Sequence, residues 1–287
     1  MPAKIKLIKD FPLISPHKQR PFIADARYCE DGLNKPVVVF VHGFKGFKDW
    51  GHFNLIADHF AQEGFVFIKL NLSHNGTTPE SPLDFADLKA FSENNFSIEL
   101  DDIGALIDTL PGTDGPVPEK EMDAERVYII GHSRGGSLAL LKAYEDKRIK
   151  KVAAWAPVHD LSERWPEEVL KKWKEEGIYY VYNGRTKQNM PMKYQIVEDF
   201  QSNRDRLDVP KAVKNLNIPV LLIHGTTDET LPYQNTERLA GPGSDIIFMK
   251  VQGANHVFGG SHPFTGRTLP DHTLKIVNKT VSFFQSE

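Results

Sequence analysis

Six short runs of apolar and β-branched residues, at 36–41, 65–70, 126–130, 151–156, 218–223 and 246–251, constrain the fold of this chain more than any other feature. Each is nearly continuous, which is how a strand covered on both faces is written; a strand with one wet face alternates instead. Stretches of helical period follow at 50–63, 96–110, 136–146, 232–239 and 271–284. Strand and helix in strict succession require crossover connections, so the sequence predicts an α/β fold: a mostly parallel central sheet with helices on both faces. Segments 5–8 and 21–27 come before the first buried run and are expected to pair as an antiparallel edge. With 287 residues, 40% of them hydrophobic, the chain can bury one large core of this kind.

The rhythm breaks once, because the stretch between residues 158 and 218 is far longer than a crossover needs. The sequence therefore predicts a core built from 1–158 and 217–287, carrying a helical and hairpin cap, or lid, at 159–216. Trp165, Val169, Leu170 and Trp173 share one helical face, with Pro166 suited to the first turn and Gly177 to the stop. Residues 178–182 run into Asn183-Gly184, a dipeptide that favours a tight hairpin turn, and helices are expected at 194–204 and 210–216. The tryptophans are expected to pack the cap on the body. The Trp, Tyr, Ile and Met content of the cap predicts an apolar or aromatic acyl pocket.

Chemistry centres on Gly131-His132-Ser133-Arg134-Gly135-Gly136. A G-x-S-x-G match is weak alone, but this one has a β-branched run immediately before it and an Ala/Leu-rich helix immediately after. A sharp strand-to-helix turn strains the backbone at Ser133, and flanking glycines remove the Cβ atoms that would collide. The hydroxyl is then lifted clear of the sheet as a nucleophile. It needs a base. Of eleven histidines, His256 stands in a glycine-rich loop after the last strong strand, where it can reach the turn. His262 and His272 come too late, His224 belongs to a strand end, His132 lies inside the turn itself, and His74 reads as a polar loop residue. The acid that orients the base is expected after the nucleophile and before the histidine. Asp228, directly after a buried-type strand, fits; its alternative role is a helix N-cap, and Asp160 is the reserve. For a tetrahedral oxyanion the donors are assigned to the backbone N–H groups of Phe44 and Arg134, with His42 bracing the first loop. The Arg134 side chain is expected to pair with an acid of the protein rather than with a substrate carboxylate.

Taken together, HGF after one strand, GHSRGG after another, HGTTDETLP and GANHVFGG resemble the α/β-hydrolase superfamily. Within it they are similar to the group of cinnamoyl and feruloyl esterases, dienelactone-hydrolase-like proteins and serine aminopeptidase-like lipases. The resemblance implies a serine esterase acting on small-molecule esters through an acyl-enzyme, without metal or organic cofactor. The expected substrates are aromatic or short-to-medium acyl esters. There are departures: no HGGG loop, Ser133 where dienelactone hydrolases carry cysteine, and Asn255 where many relatives have Asp. Serine also excludes the haloalkane dehalogenase branch, which needs Asp there. A serine peptidase or aminopeptidase with the same triad, and a ligand-binding protein on the same fold, are the alternatives. A net charge of −3 gives no footprint for nucleic acid, and the lone Cys29 excludes an internal disulfide and a cysteine metal cluster. No apolar run has signal-peptide or membrane-span length, so a cytoplasmic location is expected.

Overall fold

The structure, a computed structural model, describes residues 4–112, 115–162, 165–241 and 245–286. Its strands are β1 (Ile5–Ile14), β2 (Pro21–Cys29), β3 (Lys35–Val41), β4 (Val66–Leu70), β5 (Met122–His132), β6 (Ile149–Trp155), β7 (Ile178–Asn183), β8 (Gln188–Lys193), β9 (Val220–Gly225) and β10 (Ile247–Val251). The α-helices are α1 (Phe53–Gln62), α2 (Leu88–Ser92), α3 (Phe96–Asp108), α4 (Arg134–Glu145), α5 (Glu167–Glu176), α6 (Gln195–Ser202), α7 (Val209–Lys214), α8 (Tyr233–Ala240) and α9 (Asp271–Gln285). Eight strands form one sheet in the order β1-β2-β4-β3-β5-β6-β9-β10, in which only β2 runs against its neighbours.

The continuous apolar runs are explained by two cores, one on each face. Val37, Val39, Val41, Ile129 and Leu222 point to one, filled by α3, α4, α7 and α8; Val38, Phe40, Ile130, Leu221 and Ile223 point to the other, filled by α1 and α9. Alternate side chains of one strand thus enter opposite cores, so both faces are mostly apolar and a buried charge such as Lys69 is paired, here with Asp25.

Three local features depart from the expectations. Strand β1 continues past residue 8 through a bulge, at which Asp10 has φ +52° and its N–H donates to Asp25 Oδ1 at 2.9 Å. The short helix α2 was not expected; Asp87 caps it by accepting from the Ala90 N–H at 2.9 Å. The β7–β8 hairpin does not turn at Asn183-Gly184. Asn183 still pairs with Gln188, so residues 184–187 form a four-residue loop, with Asn183 Oδ1 accepting from the Arg185 N–H at 3.1 Å. Tertiary anchoring overrides the dipeptide preference, because the Arg185 guanidinium lies over the Phe47 and Phe85 rings, 5.2 and 5.5 Å from their centroids.

Between β6 and β9 the chain inserts α5, the β7–β8 hairpin, α6 and α7. Trp173 is 1% exposed, donates from Nε1 to the Met192 carbonyl at 2.8 Å, and meets the rings of Trp165, Tyr179 and Tyr194. This aromatic cluster is continuous with the core beneath the sheet, so the tryptophans pack the insertion on the body as expected. Gln195 fastens it to the body, donating to the Asn94 carbonyl at 2.7 Å and accepting from Asn95 Nδ2 at 2.8 Å.

Candidate active site

Strand β5 ends in the turn that presents Ser133, whose backbone has φ +57° and ψ −124°. A non-glycine residue rarely adopts this conformation, and the surrounding packing imposes it. A Cβ on Gly131 would lie 1.9 Å from the Gly135 carbonyl oxygen, and one on Gly135 would lie 2.3 Å from that of Val41. No side chain fits at either position. The Ser133 N–H donates to the Trp155 carbonyl at 2.9 Å, tying the turn to β6. Arg134 opens α4, so its N–H belongs to the positive end of that helix.

Asp228 lies three residues beyond β9. Its carboxyl is wholly buried, and His256 Nδ1 stands 2.7 Å from Oδ2. The same oxygen receives His224 Nε2 at 2.8 Å, while Oδ1 accepts the N–H groups of Thr230 and Leu231 at 2.8 and 2.9 Å. Burial alone would favour the neutral acid, but the bonds from His224 and His256 prevail and hold this carboxyl well below the usual carboxylate range. Beside an ionised carboxylate, His256 carries its proton on Nδ1, leaving Nε2 able to accept one.

The loop carrying His256 is pinned at several points. His132 Nε2 donates to the His256 carbonyl at 2.8 Å, and the two rings lie 4.9 Å apart. Desolvation, reinforced by His256, lowers the pKa of His132 to about 3, so it acts as a neutral donor although one edge of its ring reaches the adjoining cavity. Asn255 Oδ1 accepts the Gly259 N–H at 2.9 Å, and the Thr273 hydroxyl donates to the Phe258 carbonyl at 2.8 Å.

A cavity of about 130 Å³ lies over Ser133 and His256, walled by Phe44, Lys45, Trp50, Phe53 and Val257. These walls come from the loop after β3, the start of α1 and the histidine loop. Among the described residues the insertion lines none of it, contrary to the acyl pocket expected from its composition. His42 braces the first loop as expected: Nδ1 donates to the Gly43 carbonyl at 2.9 Å, Asn75 Nδ2 lies 3.3 Å from Nε2, and burial pushes its pKa down to about 4. The base of that loop is held by charge. Lys48 Nζ reaches Asp10, Asp25 and Asp49 at 2.7, 2.9 and 2.6 Å, and Lys69 Nζ reaches Asp25 at 2.7 Å and also contacts Asp49. A larger groove, about 950 Å³, between α7, α8 and the starts of β9 and β10 holds none of the candidate catalytic residues.

Ser133, His256 and Phe44 therefore meet at one cavity, Arg134 follows Ser133 at the helix start, and Asp228 meets His256 behind it. The reserve acid, Asp160, instead accepts from the Ser162 N–H and hydroxyl at 2.7 and 2.6 Å. His224, expected only as a strand-end residue, and His132, expected only as part of the turn, are hydrogen-bonded to Asp228 and to the His256 carbonyl. Their positions at the head of HGTTD and inside GHSRGG were the available signal: the His224–Asp228 contact spans four residues of one motif, whereas the partner of His132 lies across the fold and is invisible in a linear motif.

A profile of the prolyl oligopeptidase family matches residues 52–265, three quarters of the chain. The chain belongs to the prolyl oligopeptidase family. It is accordingly a hydrolase of the α/β-hydrolase superfamily of serine hydrolases, and solved structures of similar fold bear out the architecture. Est1E from Butyrivibrio proteoclasticus, solved with ferulic acid bound, superposes with a TM-score of 0.70 at 18% identity, over 96% of this chain and 97% of that one. The esterase domain of a Rhodothermus marinus protein gives 0.63 at 16%, covering 98% and 97%. A dienelactone hydrolase from Anabaena variabilis gives 0.62 at 14%, covering 99% and 98%. No curated protein sequence matches this family member significantly. Among its described residues no helix is long and apolar enough to cross a membrane, and no cluster of His, Cys, Asp and Glu is arranged to hold a metal.

Proposed function

We propose that this protein hydrolyses carboxylic esters through an acyl-enzyme, with Ser133 as nucleophile, His256 as general base and acid, and Asp228 orienting the histidine. The observation that carries this reading is the contact between His256 Nδ1 and the buried Asp228 carboxylate at 2.7 Å, with His256 and Ser133 sharing one cavity. Ser133 Oγ attacks the ester carbonyl carbon while its proton passes to His256 Nε2. The carbonyl electrons move onto oxygen, which the N–H groups of Phe44 and Arg134 receive. The intermediate collapses, the C–O bond to the alcohol breaks, and His256 returns the proton to the departing oxygen. Water, deprotonated by His256, then attacks the acyl-enzyme, and Ser133 leaves with the proton restored. Asp228 keeps its charge throughout and stabilises the imidazolium. The segment 159–216 is the cap of this reading.

A second reading, peptide hydrolysis, is favoured by the family match. The triad would be the same, and the chemistries part at the leaving group. No carboxylate lines the cavity to receive a substrate amine among the described residues, which supports esters over aminopeptidase substrates. The test is fluorophosphonate labelling of wild type and Ser133→Ala, alongside turnover of p-nitrophenyl esters of increasing acyl length, a feruloyl ester and peptide p-nitroanilides. Labelling and ester turnover that disappear in the variant support the proposal. Faster turnover of anilides than of esters replaces it with the peptidase, and a folded wild type that takes no label leaves a ligand-binding protein.

A further inference from the structure

Phe44 and Arg134, whose backbone N–H groups are assigned to the oxyanion, belong to segments ninety residues apart, and their side chains meet beneath the site. The Arg134 guanidinium carbon lies 4.2 Å from the centroid of the Phe44 ring and 5.2 Å from that of Phe96. Arg134 is 2% exposed, so its side chain is closed to a substrate. Its Nη1 lies 3.3 Å from Glu99 Oε1, an oxygen that also accepts from Asn94 Nδ2 at 2.7 Å. The Phe44 ring packs in turn on Phe91, at 5.7 Å. The first turn of α3, helix α2 and the start of α4 thus converge under one ring of the loop after β3.

We propose that the Arg134 side chain, held by Glu99 and stacked on Phe44, is a positioning clamp that sets the spacing of the two oxyanion donors. The inference rests on the hydrolase reading above and adds to it the device that aligns the oxyanion hole. Two donors on separate segments have to converge on one developing charge, and a displacement of about 1 Å in such a site can cost a hundredfold in rate. Close approach at a glycine already brings the segments together, since a Cβ on Gly43 would stand 3.0 Å from Ser133 Cβ and 3.1 Å from the His132 carbonyl oxygen. That contact limits approach without directing either N–H. A planar cation between two aromatic faces does direct it, because the face of the ring and the plane of the guanidinium fix orientation as well as distance.

The variant that tests this most directly is Phe44→Leu, which keeps the backbone N–H and the Arg134–Glu99 pair and removes only the ring. With p-nitrophenyl butyrate, kcat is expected to fall about 10- to 100-fold while KM stays within about twofold. Affinity for a trifluoromethyl ketone, which forms a tetrahedral adduct on the serine, should weaken by the same factor, and Phe44→Tyr should restore both. Arg134→Met alone would strand the Glu99 carboxylate, so the charge is removed from both sides in Arg134→Met/Glu99→Gln, with the same expected loss. Combining that pair with Phe44→Leu should cost no more than the worse of the two, because both break one contact. A Phe44→Leu enzyme with kcat within twofold of wild type, a change confined to KM, or multiplicative losses in the combined variant would overturn the clamp. A wild type that neither takes a fluorophosphonate label nor turns over the ester overturns the hydrolase reading as well, and an active wild type with unaffected variants overturns the clamp alone.

Discussion

His224 Nε2 lies 2.8 Å from Asp228 Oδ2, the oxygen that His256 Nδ1 also reaches. His224 is fully buried; its Nε2 also lies 3.0 Å from the Leu231 carbonyl and its Nδ1 2.7 Å from the Thr236 hydroxyl. With two acceptors facing Nε2, the ring donates there and steadies the carboxylate from behind. His224→Leu is expected to lower kcat about tenfold or more by loosening Asp228. A kcat within about twofold of wild type, measured on p-nitrophenyl esters, would assign His224 to packing alone.

Asp228→Asn keeps the shape of the site but removes the charge that fixes the His256 tautomer. A loss of roughly 10⁴ in kcat is expected, measured on p-nitrophenyl esters with folding checked by circular dichroism. Activity within tenfold of wild type would transfer the role to another acid.

Gly131→Ala and Gly135→Ala place a Cβ against backbone atoms at 1.9 and 2.3 Å, and backbone cannot yield as a side chain end can. Each is expected to destabilise the protein by more than about 3 kcal/mol in urea unfolding. Gly64→Ala provides the contrast: nothing stands within 4 Å of its added Cβ, so only the cost of its φ of +86° remains.

Acid should unfold the protein in two stages. Burial lowers the pKa values of His42, His52 and His74 to about 4, below the 6.5 of an exposed imidazole. Between those values the unfolded chain binds protons that the native one refuses, so stability is full above about pH 6.5 and declines towards pH 4. Asp49 follows. Its burial favours the neutral acid, but Lys69 and Lys48 hold its pKa near 2, so its contribution is present above about pH 3.8 and lost as pH falls towards 2. Thermal unfolding across this range should show the first decline, and His52→Asn should lessen it. A Tm flat from pH 7 to 4 would contradict it.

Lys69 is 1% exposed and compensates Asp25 and Asp49 together. Lys69→Met leaves those carboxylates with Lys48 alone, and roughly 3–5 kcal/mol of stability should be lost. Because Asp49 anchors the loop that carries Phe44 and Trp50, ester turnover should also fall at temperatures well below unfolding.

What the sequence by itself determined was everything carried by local pattern. Runs apolar at nearly every position required strands buried on both faces, and their alternation with helices required parallel crossovers, so the fold class and the place of Ser133 at a strand-to-helix turn were legible. Residue order then selected Asp228 and His256, because the chain must visit the carboxyl ends of successive strands in turn. Only the tertiary structure decided the rest. It turned His224 and His132 from bystanders into partners of Asp228 and His256, moved the hairpin turn past Asn183-Gly184 by anchoring Arg185 on Phe47 and Phe85, and walled the cavity with Trp50 and Phe53 rather than with the tryptophans of the insertion. Apart from the His224–Asp228 pair, four residues apart in a loop with no helical or strand period, these are contacts between segments distant in the chain, and a hydrogen bond or stacked ring across such a distance leaves no periodicity in the sequence to be read.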